Sequence, residues 1–117
     1  MRISTKIIIT VALLGVIAFF GNGCSEKSQA ESKKAVIALP TAKCETCKKT
    51  IETALQNVPG VQNSLVTLKG SKSVEVVYTP GQTDESKIRT AISKAGYTAD
   101  NVQRDDAAYQ KLEDCCK

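Results

Sequence analysis

A chain of 117 residues, 42% of them apolar and with a formal net charge of +4, has room for one small domain and a modest core. The charge is too mild for a nucleic-acid surface, and the three tyrosines and two phenylalanines are not interleaved with any basic block. Five cysteines and no histidine leave thiolates, and no imidazole, for any metal chemistry.

The chain opens with Arg2 and Lys6, an uncharged apolar run from Ile7 to Phe20, and then Gly21-Asn22-Gly23-Cys24. Fourteen apolar residues fall short of the roughly 20 that span a bilayer. Residues 1–23 therefore read as an export signal, which places the rest of the chain outside the cytoplasm, in a periplasm. Gly23-Cys24-Ser25 resembles the end of a bacterial lipoprotein signal, in which the cysteine becomes the lipidated first residue of the mature chain. That family usually has leucine three places before the cysteine, where this chain has Gly21. The resemblance implies a membrane anchor at Cys24; the alternative is an ordinary cleaved signal with an incidental cysteine. Loss of Arg2 and Lys6 with the signal lowers the formal charge from +4 to +2.

Residues 24–34 follow as the anchor cysteine and a polar tether of Ser, Glu, Lys, Gln and Ala without apolar periodicity. From Ala35 the pattern alternates, with Ile37 and Leu39 on one side and Val36 and Ala38 on the other, as in a short strand that Pro40 ends. Cys44-Glu45-Thr46-Cys47 stands where this strand gives way to a helical pattern beginning near Cys47. The first N–H groups of a helix lack internal partners and carry a partial positive charge, so thiols there ionise readily. Two such thiols suit either a soft metal ion or a redox disulfide, and the spacing alone does not choose.

Ile51, Ala54, Leu55 and Val58 form the apolar face of the first helix, opposite Lys48, Lys49, Glu52 and Gln56, and Pro59-Gly60 stops it. A second strand is expected over Val61 to Lys69, with Val66 and Leu68 on one face. Gly70-Ser71 turns into a third over Ser73 to Thr79, where Val74, Val76 and Tyr78 alternate with Glu75 and Val77. After Pro80-Gly81, Thr83 is the expected N-cap of a second helix carrying Ile88, Ala91, Ile92 and Ala95 and ending at Gly96. A short fourth strand is expected over Thr98 to Val102, although Asp100 and Asn101 are poor strand formers. The order strand, helix, strand, strand, helix, strand predicts an α+β, ferredoxin-like βαββαβ open-faced sandwich: an antiparallel sheet with two helices on one face, over residues 35–103. In that topology Gly96-Tyr97 returns to the end of the sheet that carries Cys44.

Leu39 to Leu55, Val58-Pro59-Gly60-Val61, Val74-Glu75-Val76-Val77-Tyr78 and Ala91-Ile92-Ser93-Lys94-Ala95-Gly96-Tyr97 together resemble the heavy-metal-associated domain. That family includes copper chaperones, the metal-binding domains of copper- and zinc-exporting ATPases, and the periplasmic mercury-binding protein. The resemblance covers about Lys34 to Gln103 and implies one soft ion held by Cys44 and Cys47. Thr41 and Ala42 stand where the family commonly has Gly-Met, whose methionine packs beneath the loop. Cu(I), Hg(II) and Zn(II) all accept thiolates. Lys43, Lys48 and Lys49 are close enough in sequence to offset a net negative site, or are simply a solvated face. Tyr97 either shields the ion, as the family suggests, or caps the core.

Residues 104–117 are expected to form a tail helix from Asp105 to Asp114, with Ala108, Tyr109 and Leu112 on one face, followed by Cys115-Cys116. A helix of that length rises roughly 15 Å, enough to climb back toward Cys44. Cys115 and Cys116 then either join the metal site, form a disulfide, or remain reactive thiols on a flexible tail. Tyr109 and Leu112 are expected to cover the outward sheet face of Val36, Ala38, Leu65 and Val77. The leading functional expectation is an extracytoplasmic carrier or scavenger, not an enzyme, that passes its ion by thiolate exchange, with a metal-transporting membrane protein as partner. The alternatives are a thiol-disulfide redox protein using Cys44 and Cys47, and an anchored structural module with two disulfides. The missing Gly-Pro between the cysteines and the strand order argue against a thioredoxin-like protein.

Overall fold

The computed structural model describes residues 31–117, so the expected leader and Cys24 lie outside the described residues. Three strands, β1 (Lys33–Ala38), β2 (Val61–Thr67) and β3 (Ser73–Tyr78), make one antiparallel sheet in the order β1-β3-β2. Helix α1 (Glu45–Gln56) follows β1 and helix α2 (Glu85–Lys94) follows β3. A short helix α3 (Asp106–Gln110) and a 3₁₀ turn (Asp114–Cys116) form the tail.

Period-two alternation drives the sheet. Ala35, Ile37, Val66, Val74, Val76 and Tyr78 are buried against Ile51 and Leu55 of α1 and Ile88 and Ile92 of α2. Burying each of the larger aliphatic side chains contributes about 1.5–3 kcal/mol. The result is the open-faced, ferredoxin-like arrangement that the order of elements predicts, with Val36 and Leu65 on the opposite face 63% and 56% exposed. The tail does not cover that face. It packs instead at the end of α2, because Gly96 and Ser93 offer it a close-fitting seat there, as described below.

Several boundaries move. Strand β1 begins at Lys33 rather than Ala35, since Lys33 and Lys34 pair with Tyr78 and Val77 and the Lys34 ammonium meets Glu75 across the sheet at 2.9 Å. Strand β2 bulges between Val61 and Asn63. The N-cap of α2 is Asp84, whose carboxylate accepts from the Lys87 N–H at 2.9 Å, and not Thr83, which is buried before the helix. The tail helix is five residues long rather than ten.

The expected fourth strand is reduced to a single bridge, Ala99 to Val102. Asp100 lies at φ 51°, in the left-handed region that strands do not use and that Asp tolerates better than most residues. It does one residue's worth of strand pairing: its N–H donates to Ala38 O at 2.9 Å, and its carboxylate accepts from the Ala38 N–H at 2.7 Å. The other carboxylate oxygen receives Arg89 Nε at 2.8 Å. On the opposite edge, Glu52 of α1 accepts from the Val66 N–H at 3.0 Å. Both edges of the sheet are thus held by carboxylates instead of by further strands.

Burial works against an ionised Asp100, but Arg89 and the Ala38 N–H outweigh it and hold the carboxyl below its ordinary 3.8. A lowered folded pKa stabilises the protein above the unfolded value, and that contribution disappears as pH falls through the folded one. Asp100→Asn, which keeps the left-handed backbone accessible, is expected to cost about 1–2 kcal/mol at pH 7. Urea midpoints measured from pH 7 down to pH 2 should show the gap between wild type and variant closing below about pH 4.

Candidate metal centre

Cys44 is the N-cap of α1, with extended backbone (φ −137°, ψ 172°), and it is half-buried. Cys47 lies in the first turn, and its side chain is wholly buried against the core. The two sulfurs stand 3.4 Å apart. The loop before them is fixed at both ends. The Ala42 N–H bonds Leu39 O at 3.1 Å, and Thr41 Oγ1 accepts from the Thr98 N–H at 3.0 Å. Ala42 is fully buried where a longer side chain would otherwise fill the space. The threonine bond across to the segment after α2 supplies anchoring that a packed methionine would give by bulk.

The tail reaches the same place. Beyond α2, the Asp105 N–H donates to Ser93 O at 3.0 Å, and Ser93 Oγ donates to Gln103 O at 2.6 Å. The chain then crosses Gly96, whose φ is +95°. A Cβ on Gly96 would stand 2.9 Å from Tyr109 N and 3.1 Å from Leu112 Cδ1, so only glycine lets α3 lie this close. Leu112 packs against the core, and the Arg104 guanidinium lies 3.5 Å over the Tyr109 ring. The 3₁₀ turn then delivers Cys115 and Cys116. Their sulfurs are 2.7 Å and 3.6 Å from Cys44 Sγ, and 3.9 Å from each other. Cys115 is exposed, whereas Cys116 is buried. Lys43 donates through Nζ to the Lys117 carbonyl, tying the tail's last residue to the loop.

The Cys115 thiol, and after it the Cys47 backbone N–H, bring Cys44 down from an ordinary 9.0 to about 6. Cys44 therefore ionises more readily than its neighbour Cys115, which is pushed up. Burial, followed by the neighbouring Cys47 sulfur, pushes Cys116 up. Tyr97 is fully buried, its hydroxyl has no hydrogen-bond partner, and it lies beside the Cys116 and Cys47 thiols; burial and those sulfurs raise its pKa.

All of Cys44, Cys47, Cys115, Cys116, Lys43 and Tyr97 thus gather at one end of the sheet, as the topology predicts. What sequence reasoning missed is how they are held there. Thr41 reads as a mere departure from a motif, and Gly96 as a helix stop. Ser93 and Asp100 carry no periodic signal at all.

A family model for the heavy-metal-associated domain matches residues 36–98, more than half of the chain. The chain belongs to the heavy-metal-associated domain family, whose members bind metal ions. A copper-exporting P-type ATPase of Staphylococcus aureus (strain Newman) is 41% identical over 56 residues, which is 48% of this chain but only 7% of the ATPase. Among solved structures, the CopZ metallochaperone superposes with a TM-score of 0.55 at 28% identity, over 57% of this chain and 98% of that one. Oxidised MerP from Ralstonia metallidurans CH34 gives 0.56 at 25% identity, over 59% and 94%. The tail with Cys115 and Cys116 lies beyond the residues matched by the family model.

Two outcomes are expected of the reduced, metal-free chain. Alkylation of Cys44, followed by peptide mass spectrometry, should reach half its plateau rate near pH 6, and Cys115→Ser should move that midpoint up. Gly96→Ala should cost about 2–3 kcal/mol in thermal denaturation, and should let alkylating reagent reach the otherwise buried Cys116.

Proposed function

We propose that this protein is an extracytoplasmic carrier or scavenger of one soft heavy-metal ion, such as Cu(I) or Hg(II), with Cys44 and Cys47 as the donors. The observation that carries the reading is the Cys44 thiolate, on a loop at the sheet end, 3.4 Å from a second cysteine sulfur in a chain without histidine. Soft d¹⁰ cations prefer such ligands over oxygen. The likeness to copper-exporting ATPases, to CopZ and to MerP supports the same class of cargo.

Transfer needs no change of oxidation state. An incoming thiol gives up its proton, and its sulfur forms a third bond to the ion. One of the original metal–sulfur bonds then breaks, and the released sulfur takes up the proton. A second thiol of the partner repeats the exchange and breaks the remaining metal–sulfur bond, so the ion leaves on two partner sulfurs and both cysteines are left free. Such an exchange transforms no substrate, so in this reading the protein acts as a binding module. A metal-transporting membrane protein with its own thiols fits as donor or acceptor. In this reading residues 1–23 direct export and a lipidated Cys24 holds the domain near the membrane, where such a partner resides.

Equilibrium dialysis of the reduced protein against Cu(I), and separately against Hg(II), is expected to show one ion bound per chain with a sulfur-to-metal absorption band. In Cys44→Ser/Cys47→Ser both the ion and the band should be lost while the far-ultraviolet circular dichroism is kept. Full uptake by that variant would remove the pair from its assigned role.

A further inference from the structure

Cys44 has three other sulfurs around it, at 2.7, 3.4 and 3.6 Å, and two of them come from the tail. With metal–sulfur bonds of about 2.3 Å, sulfurs on opposite sides of a two-coordinate ion stand about 4.6 Å apart, three in a plane about 4.0 Å, and four at tetrahedral corners about 3.8 Å. The observed spacings of 3.4, 3.6 and 3.9 Å therefore fall nearer to a three- or four-sulfur cage than to a linear pair. The Cys44, Cys115 and Cys116 sulfurs all lie within 4.8 Å of one another, and the Cys44–Cys115 separation has to widen by about 1 Å. Cys115 is exposed, so its side chain has room to turn outward.

A second, independent observation points the same way. The Tyr97 hydroxyl is fully buried without a partner, beside Cys47 and Cys116. An unmatched buried donor costs about 1–3 kcal/mol. A neutral thiol is a weak acceptor, but a cysteine sulfur that has lost its proton to a metal is a strong one, so occupancy of the cage supplies the missing partner. If the tail merely filled space, Cys116 alone would serve, as a small apolar residue, and the exposed Cys115 beside Cys44 would contribute nothing to packing.

We propose that Cys115 and Cys116 are metal donors, so that the tail closes over an ion held in common by Cys44 and turns an open two-sulfur loop into a retaining site of three or more sulfurs. The ligand class is a thiophilic d¹⁰ cation. The tail then acts as a latch, and an acceptor thiol has to displace a tail sulfur before it takes the ion. This rests on the assignment of Cys44 and Cys47 as donors and goes beyond it, since the tail lies outside the residues matched by the family.

The test uses the full exported chain, reduced and loaded with Cu(I). X-ray absorption fine structure counts the sulfurs on copper, and competition with a chromophoric Cu(I) chelator gives affinity and transfer rate. Three or more sulfurs are expected in the wild type. In Cys115→Ser/Cys116→Ser two are expected, with binding weaker by about tenfold or more, because a tethered donor acts at a high effective concentration, and faster release to the chelator. Cys115→Ser alone, a change at an exposed position, is expected to lie between the two. Two sulfurs and equal affinity in the wild type and both variants would overturn the latch and leave the carrier intact. Failure of the wild type to bind copper at all would overturn both.

Discussion

The seam between the end of α2 and the tail is the contact on which the rest of this molecule depends. Ser93 receives the chain through two hydrogen bonds, Gly96 allows α3 to pass at a distance no side chain would permit, and Leu112 seals the contact against the core. None of these is a strong interaction taken alone. Together they replace the wandering of a polar tail with a defined return path, and so set the position of two cysteines relative to a third that is 71 residues away in sequence. Without the seam the loop would be an open pair of thiols like any other; with it, four sulfurs share one end of the sheet.

The loop itself is rigid for reasons of backbone bonding more than of packing. Asp100 fastens the last residue of β1, and Thr41 fastens the loop three residues later, both to the segment that follows α2. That segment also carries Tyr97. The same few residues therefore hold the cysteines from below, deliver the tyrosine beside them and launch the tail above them. The site is thus framed by few residues, all of them anchored to one short segment of backbone.

Alternation in β1 and β3 and the apolar faces of α1 and α2 were legible in the sequence because each is a local repeat whose period states its own structure. Cys44, Cys47 and Tyr97 were legible through their fixed register to those repeats. The last strand was not, because Asp100 reads as a poor strand former and gives no hint that its side chain and backbone both pair with Ala38. The return of the tail follows from topology and helix rise, but its place does not. An apolar outward face at Val36 and Leu65 invited the expectation that Tyr109 and Leu112 would cover it, whereas a glycine at a helix end turned out to be the better host. A missing Cβ leaves no mark in a hydrophobic pattern, so close approach between distant segments is the kind of fact that residue periodicity does not carry.

A sheet of three strands has two borders where main-chain donors face outward, and such borders invite another polypeptide to add itself. Here Glu52 and Asp100 each take a donor that an incoming strand would need, and Lys33 and Lys34 put like charges along the outer strand that a second copy would have to approach. The backbone is thereby made a poor adhesive at both margins, which disfavours fibre-like growth by strand addition.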